Sequence, residues 1–240
     1  MLRRPVVVFA IAAAFAAHAE GPLLHPFAGD GSTPAPPWHV VGLPQQTKPF
    51  TQFSVVDLDG KRALRVEAIE SYGNLVHPLQ FTGSTAHLGW QWRVEHLNEA
   101  ADLHLKSGDD TTLKVCVFFD LPLDNIPAFA DRQMLRFARS KSIDPVPGAT
   151  VCYVWDAHLP AGTMLDNAFT RRVRYVVVRS GAERLNQWVA EKRDVAADFA
   201  KLFGAESDHM PAIIGIAVGA DSDNTHTRSL GFVSGVVLEP

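Results

Sequence analysis

The chain has 240 residues, of which 47% are hydrophobic and 20% charged, and its formal net charge is −4. That balance belongs to a globular chain and excludes a disordered one. It also excludes a nucleic-acid partner, because phosphate binding needs concentrated Lys and Arg, and no basic cluster stands out here.

The first twenty residues, MLRRPVVVFAIAAAFAAHAE, carry the three parts of a secretory signal peptide. Arg3 and Arg4 make the basic start, an apolar stretch runs to Phe15, and Ala17-His18-Ala19 supplies the small-x-small cleavage pattern. The apolar run is shorter than the roughly 20 residues that span a bilayer, so residues 1–19 read as a leader. No Cys follows for a lipid anchor. Cleavage near Ala19 would send the mature chain, which has no transmembrane segment, to the periplasm or the exterior of a bacterium.

Residues 20–49 are rich in Pro and Gly and read as an irregular lead-in to a single domain over 50–240. The fragment VVDLDGKRALRVEA predicts a β-hairpin turning at Asp59-Gly60, with Leu64 and Val66 facing inward and Arg65 and Glu67 outward. In LGWQWRV, Trp90 and Trp92 share one face of a strand with Leu88 and Val94. Two readings stand side by side: a stacking platform for sugar rings, or filling of the core, which the flanking Leu and Val favour. Trp155 and Trp188 carry the same ambiguity.

Further strands are expected in TTLKVCVFF, TVCYVWDA, RVRYVVVRS, PAIIGIAVGA and GFVSGVVLE. Cys116 and Cys152 lie in two of them, and an exported chain permits a bridge if neighbouring strands bring them together; two buried free thiols are the alternative. Between those strands PAFADRQMLRFARS predicts an amphipathic helix, with Phe129, Leu135 and Phe137 among its apolar anchors. DVAADFAKLFG predicts a second, with Asp194 or Asp198 at its start and Gly204 closing it. Many short strands and two small helices that do not alternate with them point to a mainly β fold. The expected architecture is an antiparallel β-sandwich of jelly-roll or galactose-binding-like type.

The stretches LGWQWRVEHL, SGDDTTLKVCVFFD, SGAERLNQWVAEKRDVAADFAKLFG and ADSDNTHTRS resemble bacterial secreted proteins of domain-of-unknown-function family 3047, from about Phe53 to Leu238. The resemblance implies export and architecture but carries no established activity. More distantly, and only at the level of fold, the chain resembles jelly-roll carbohydrate-binding modules.

No Gly-x-Ser-x-Gly, His-Glu-x-x-His or phosphate-binding loop occurs, and the histidines are scattered singly. Two acid-rich loops stand out: Asp109-Asp110 before a strand, and Asp221-x-Asp223-Asn224 after one. Such oxygens suit a hard cation, so calcium is the one cofactor these loops admit, with Asp109, Asp110, Asp221 and Asp223 as its ligands. The spacing is not that of an EF-hand, and a polar turn is the simpler reading. Arg228 or Arg93 could instead pair with these acids.

The leading expectation is an exported sandwich binding a glycan or another cell-envelope component. Its contacts would be Trp90, Trp92, Asp109, Asp110, Asp221, Asp223, Asn224 and Arg228. A polysaccharide hydrolase or lyase using loop carboxylates, and a structural or partner-binding envelope protein, are the alternatives.

Overall fold

Period-two alternation of apolar and polar side chains decides which face of each strand is buried, and this chain applies it to two sheets. A computed structural model describes residues 22–240 except 30, 32, 33 and 44, so the expected signal peptide lies outside the described residues. In chain order the strands are His39–Val41 (β1), Gln52–Leu58 (β2), Lys61–Ile69 (β3), Tyr72–Phe81 (β4), His87–His96 (β5) and Leu113–Phe119 (β6). They continue with Ala149–Asp156 (β7), Met164–Asp166 (β8), Val173–Ser180 (β9), Val189–Asp194 (β10), Ile213–Asp221 (β11) and Arg228–Glu239 (β12). The helices are Phe129–Lys141 (α1) and Val195–Phe203 (α2).

One sheet has seven strands in the order β1-β4-β11-β6-β7-β9-β8 and the other five, β10-β5-β12-β3-β2. Among the described strands every pairing is antiparallel except β7 with β9. The chain crosses repeatedly between the sheets, giving the antiparallel sandwich with two short helices that the strand pattern predicts. The β2–β3 hairpin turns at Asp59 and Gly60, both with positive φ (52° and 73°), the backbone a two-residue turn demands.

Leu64, Val66, Leu88, Trp90, Trp92 and Val94 from the five-stranded sheet meet Leu113, Val115, Val117, Tyr153 and Trp155 from the other to form the main core. Trp90 packs on Trp92 and Tyr153, and Trp92 on Trp155, at centroid separations of 5.3–5.6 Å. Helix α2 touches β5, β7 and β10 and inserts Val195, Phe199 and Phe203. Its first turn is capped by the Asp194 carboxylate, which accepts from the Ala197 N–H.

Two segments differ from their sequence reading. Part of the 20–49 lead-in belongs to the sandwich: Leu24, Phe27 and Trp38 are buried in the main core, and β1 adds an edge strand to β4. In α1 only Leu135 is buried, whereas Phe129 and Phe137 point to solvent, so two of the three expected anchors anchor nothing. The physical reason is angular: at 100° per residue these three positions do not share a face, and Leu135 lies opposite the other two.

Candidate functional site

The outer face of the seven-stranded sheet is not left to solvent. Leu103, Leu159 and Leu165, from loops on either side of β6 and β7 and from β8, pack over Val76, Cys116, Cys152, Val154, Tyr175, Val177 and Ala217 as a second apolar cluster. Within it Cys116 and Cys152 are cross-strand partners with Cα atoms 4.0 Å apart, joined by an S–S bond of 2.05 Å. Because that face is covered, polar side chains projecting into it must satisfy one another.

Lys114 is the first of these. It alternates with core residues on β6, so it lies on the covered face beside Cys116, and it is 5% exposed. Its Nζ donates to Asp221 Oδ2 at 2.8 Å and stands 5.2 Å from the centre of the Tyr72 ring. Asp221 also accepts from the Thr111 N–H at 2.6 Å and, through a short contact, from the Thr111 hydroxyl. Burial pulls the Lys114 pKa down, but Asp221, Tyr72 and Asp109 together outweigh it, and the ammonium is held above its ordinary value.

Asp109 lies on the other side of this pair. Asn167 Nδ2 donates to its Oδ2 and, at 2.9 Å, reaches the Tyr175 hydroxyl, which in turn donates to Asp109 Oδ1 at 3.3 Å. Burial, and next the charge of Asp221, push the Asp109 pKa up to about 6. Tyr175 is raised well above its ordinary value, first by burial and then by the Asp109 charge. Tyr72 is raised chiefly by burial, with Lys114 opposing.

The rim of this cluster is half-exposed: Tyr72 and Asn74 on β4, and Asn167 on the covering loop. Asn74 Nδ2 donates to the Tyr72 hydroxyl at 3.2 Å. The Asn74 side chain lies across Gly219 of β11, where a Cβ would come within 2.4 Å of Asn74 Oδ1 and 2.8 Å of Gly73 O. Glycine there is a matter of close approach.

The two acid loops meet, as a shared site requires. Asp110 Oδ2 accepts from the Thr225 N–H (2.7 Å) and hydroxyl (2.6 Å), and its Oδ1 accepts from the Asn224 backbone and side-chain N–H groups at 3.3 Å. Asn224 Nδ2 also reaches Asp109 O. The result is a latch tying the 222–227 turn to the 109–112 segment. The oxygens of Asp110 and Asp221 accept from N–H, O–H and ammonium donors. Among the described residues, no group of three or more His, Cys, Asp or Glu converges so as to hold a metal ion. Asp223 is half-buried, its Oδ1 lacks a hydrogen-bond partner, and burial together with Asp110 and Asp221 raises its pKa.

Three other expected contacts are displaced. Trp90 (2% exposed) and Trp92 (0%) fill the core, so neither offers a face to a sugar ring. Trp92 Nε1 donates inside the protein, to Glu191 Oε1 at 3.2 Å. Arg228 pairs with Glu67, and Arg93 with Asp59 and Glu95, so neither arginine pairs with the acids of the two loops. Lys114, Tyr72, Asn74, Asn167 and Tyr175 were not singled out by sequence reasoning. One signal was present: a lone Lys in LKVCVFF, a strand apolar on both faces, requires a buried partner.

The family model described as "Protein of unknown function (DUF3047)" matches residues 36–237. No curated protein matches the chain. Among solved structures, TmCBM61 in complex with beta-1,4-galactotriose aligns with 10% identity and a TM-score of 0.35, covering 85% of this chain and 88% of its own. The native family 12 xyloglucanase from Bacillus licheniformis aligns with 7% identity and a TM-score of 0.42, covering 82% and 90%. At these scores neither likeness carries an argument about ligand or chemistry.

Proposed function

We propose that this chain, which belongs to the DUF3047 family, is an exported protein that binds a glycan or another hydroxyl-rich component of the cell envelope at the rim of the covered polar cluster. The observation that carries this reading is the grouping of half-exposed Tyr72, Asn74 and Asn167 above buried, charged Lys114, Asp109 and Asp221. Binding sites combine apolar surface with a few fixed polar groups. Amides supply both donors and acceptors, matching sugar hydroxyls, and a tyrosine ring offers an apolar edge beside them. The buried ion pair and the Asn74–Gly219 contact hold the rim in place before a ligand arrives, which lowers the ordering cost of binding. Export rests on the leader pattern of residues 1–19.

The test is titration of cell-wall and plant-polysaccharide oligosaccharides into the protein, followed by Asn74→Ala and Asn167→Ala. Binding weakened by about tenfold or more in either variant, with thermal unfolding retained, supports the reading. Binding that is indifferent to both substitutions overturns it.

A second reading has its own observation. Asp109, pushed up to about 6, and Asp221, paired with Lys114, are two carboxylates in unlike environments. Glycoside hydrolysis uses two carboxylates, one acting as acid. Turnover of a polysaccharide that is lost in Asp109→Ala or Asp221→Ala would favour this enzyme reading over simple binding.

A further inference from the structure

Helix α1 sits in the 120–148 excursion between β6 and β7, whose ends are already joined by the Phe119–Ala149 pairing. The excursion contributes Leu121, Ile126 and Leu135 to the core. In α1 the other large apolar residues are turned the wrong way for a core helix: Phe129 is 66% exposed, Met134 56% and Phe137 65%, and Ile143 just beyond it is fully exposed. Phe129, Phe137 and Met134 span about 140° of the helix circumference, centred opposite the buried Leu135. An exposed apolar cluster of this kind marks an interaction surface.

Charge identifies the partner. In a chain of net charge −4, α1 carries Arg132, Arg136, Arg139 and Lys141 against a single acid, Asp131. Asp131 faces the protein body, 3.8 Å from Arg172. Outside the helix the same excursion carries exposed Asp120 and Asp124 and half-buried Asp144; Asp120 lies 4.0 Å from Arg139 and Asp144 2.9 Å from His39. What α1 presents outward is thus apolar and cationic: Arg136 and Lys141 are exposed, Arg132 lies over the Phe129 ring, and Lys141 over the Phe137 ring, each at 5.8 Å.

We infer that α1 is an interfacial helix that docks the protein on an anionic phospholipid bilayer. Its phenylalanines and Met134 enter the headgroup–acyl boundary, and its cations pair with the lipid phosphates. A second copy of the chain is disfavoured, because a two-fold interface would set Arg136 and Lys141 against cations of the same patch. A folded protein partner finds no groove here, only one convex helix. Docking through α1 is compatible with a bilayer that is not crossed, since no helix among the described residues is long and apolar enough to span one.

The experiment is flotation of the exported, purified protein with vesicles of phosphatidylcholine, alone or with phosphatidylglycerol. The N-terminus is sequenced first, so that the apolar leader contributes nothing. The protein is expected to float with the anionic vesicles and to be released by salt. The bound fraction should fall by about tenfold or more in the Phe129→Ser/Phe137→Ser and Arg136→Glu/Lys141→Glu double variants. All four side chains are exposed, so both variants should keep the wild-type unfolding midpoint and their binding of oligosaccharide at the Tyr72–Asn74 rim. Absence of flotation by the wild type, or flotation that survives both variants, overturns the proposal. So does a concentration-dependent dimer or a stable protein complex, abolished by the same substitutions, in a protein that ignores anionic vesicles.

Discussion

The two sheets turn outward with the same alternating grammar and arrive at opposite electrostatics. On the five-stranded sheet, buried Phe232 lies between its cross-strand neighbours Arg65 and Arg93. Arg93 pairs with Asp59 and Glu95, and partly exposed Arg65 and Arg228 pair with Glu67, which is itself buried between them. On the seven-stranded sheet, loops cover the corresponding positions, and Lys114, Asp221 and Asp109 are at most 5% exposed. The comparison teaches that position on a strand sets which face a side chain takes, whereas covering that face sets what its charge is worth. Solvated pairs contribute little, and buried ones become costly to break.

The carboxylates respond accordingly. Burial pushes Glu67 up, but hydrogen bonds from Arg65 and Arg228 outweigh it, and its pKa lies below the ordinary value. Glu67 therefore adds stability that is present above its unfolded pKa and lost on acidification. Asp109 is raised to about 6 from 3.8, so its contribution is fully present below the unfolded value and is lost as pH climbs through the folded one.

The contrast breaks most readily at Lys114. Lys114→Met leaves Asp221 charged and buried with only the Thr111 donors, and should cost about 3–5 kcal/mol in urea or thermal unfolding. A loss below about 1 kcal/mol would mean that the covered pair behaves like a solvated one, and the distinction between faces would fall. A smaller effect concerns Asp109. Between about pH 4 and pH 6 the wild type should lose up to about 3 kcal/mol through this group, and Asp109→Asn should remove that slope. An unchanged slope in the variant would place the titration elsewhere. The smallest effect is expected on the open face: Arg228→Ala, with Arg65 still paired to Glu67, should change stability by less than about 1 kcal/mol, and less again at high salt.

Much of the fold was legible because it depends on near neighbours in the chain. Alternation in RALRVEA and LGWQWRV, and the Asp59-Gly60 pair, dictate strand, face and turn within a few residues. The Asp194 cap of α2 is equally local. Helix α1 shows where local reading fell short: its apolar residues were visible, but not that most of them face away from the body. The site was less legible still, since Lys114 meets Asp221 across 107 residues and Asp109 meets Asn167 across 58.

By itself, then, the sequence determined a mainly β sandwich, its hairpin and its capped helix, because each rests on side-chain period or on the backbone demands of a turn or cap. Only the tertiary structure decided that Trp90 and Trp92 are core, that Asp110 is a latch for the 222–227 turn, and that Lys114 is the cation beside Asp221. Those outcomes depend on which strands become neighbours and which face is covered, and burial is a property of the packed whole that no short stretch of chain contains.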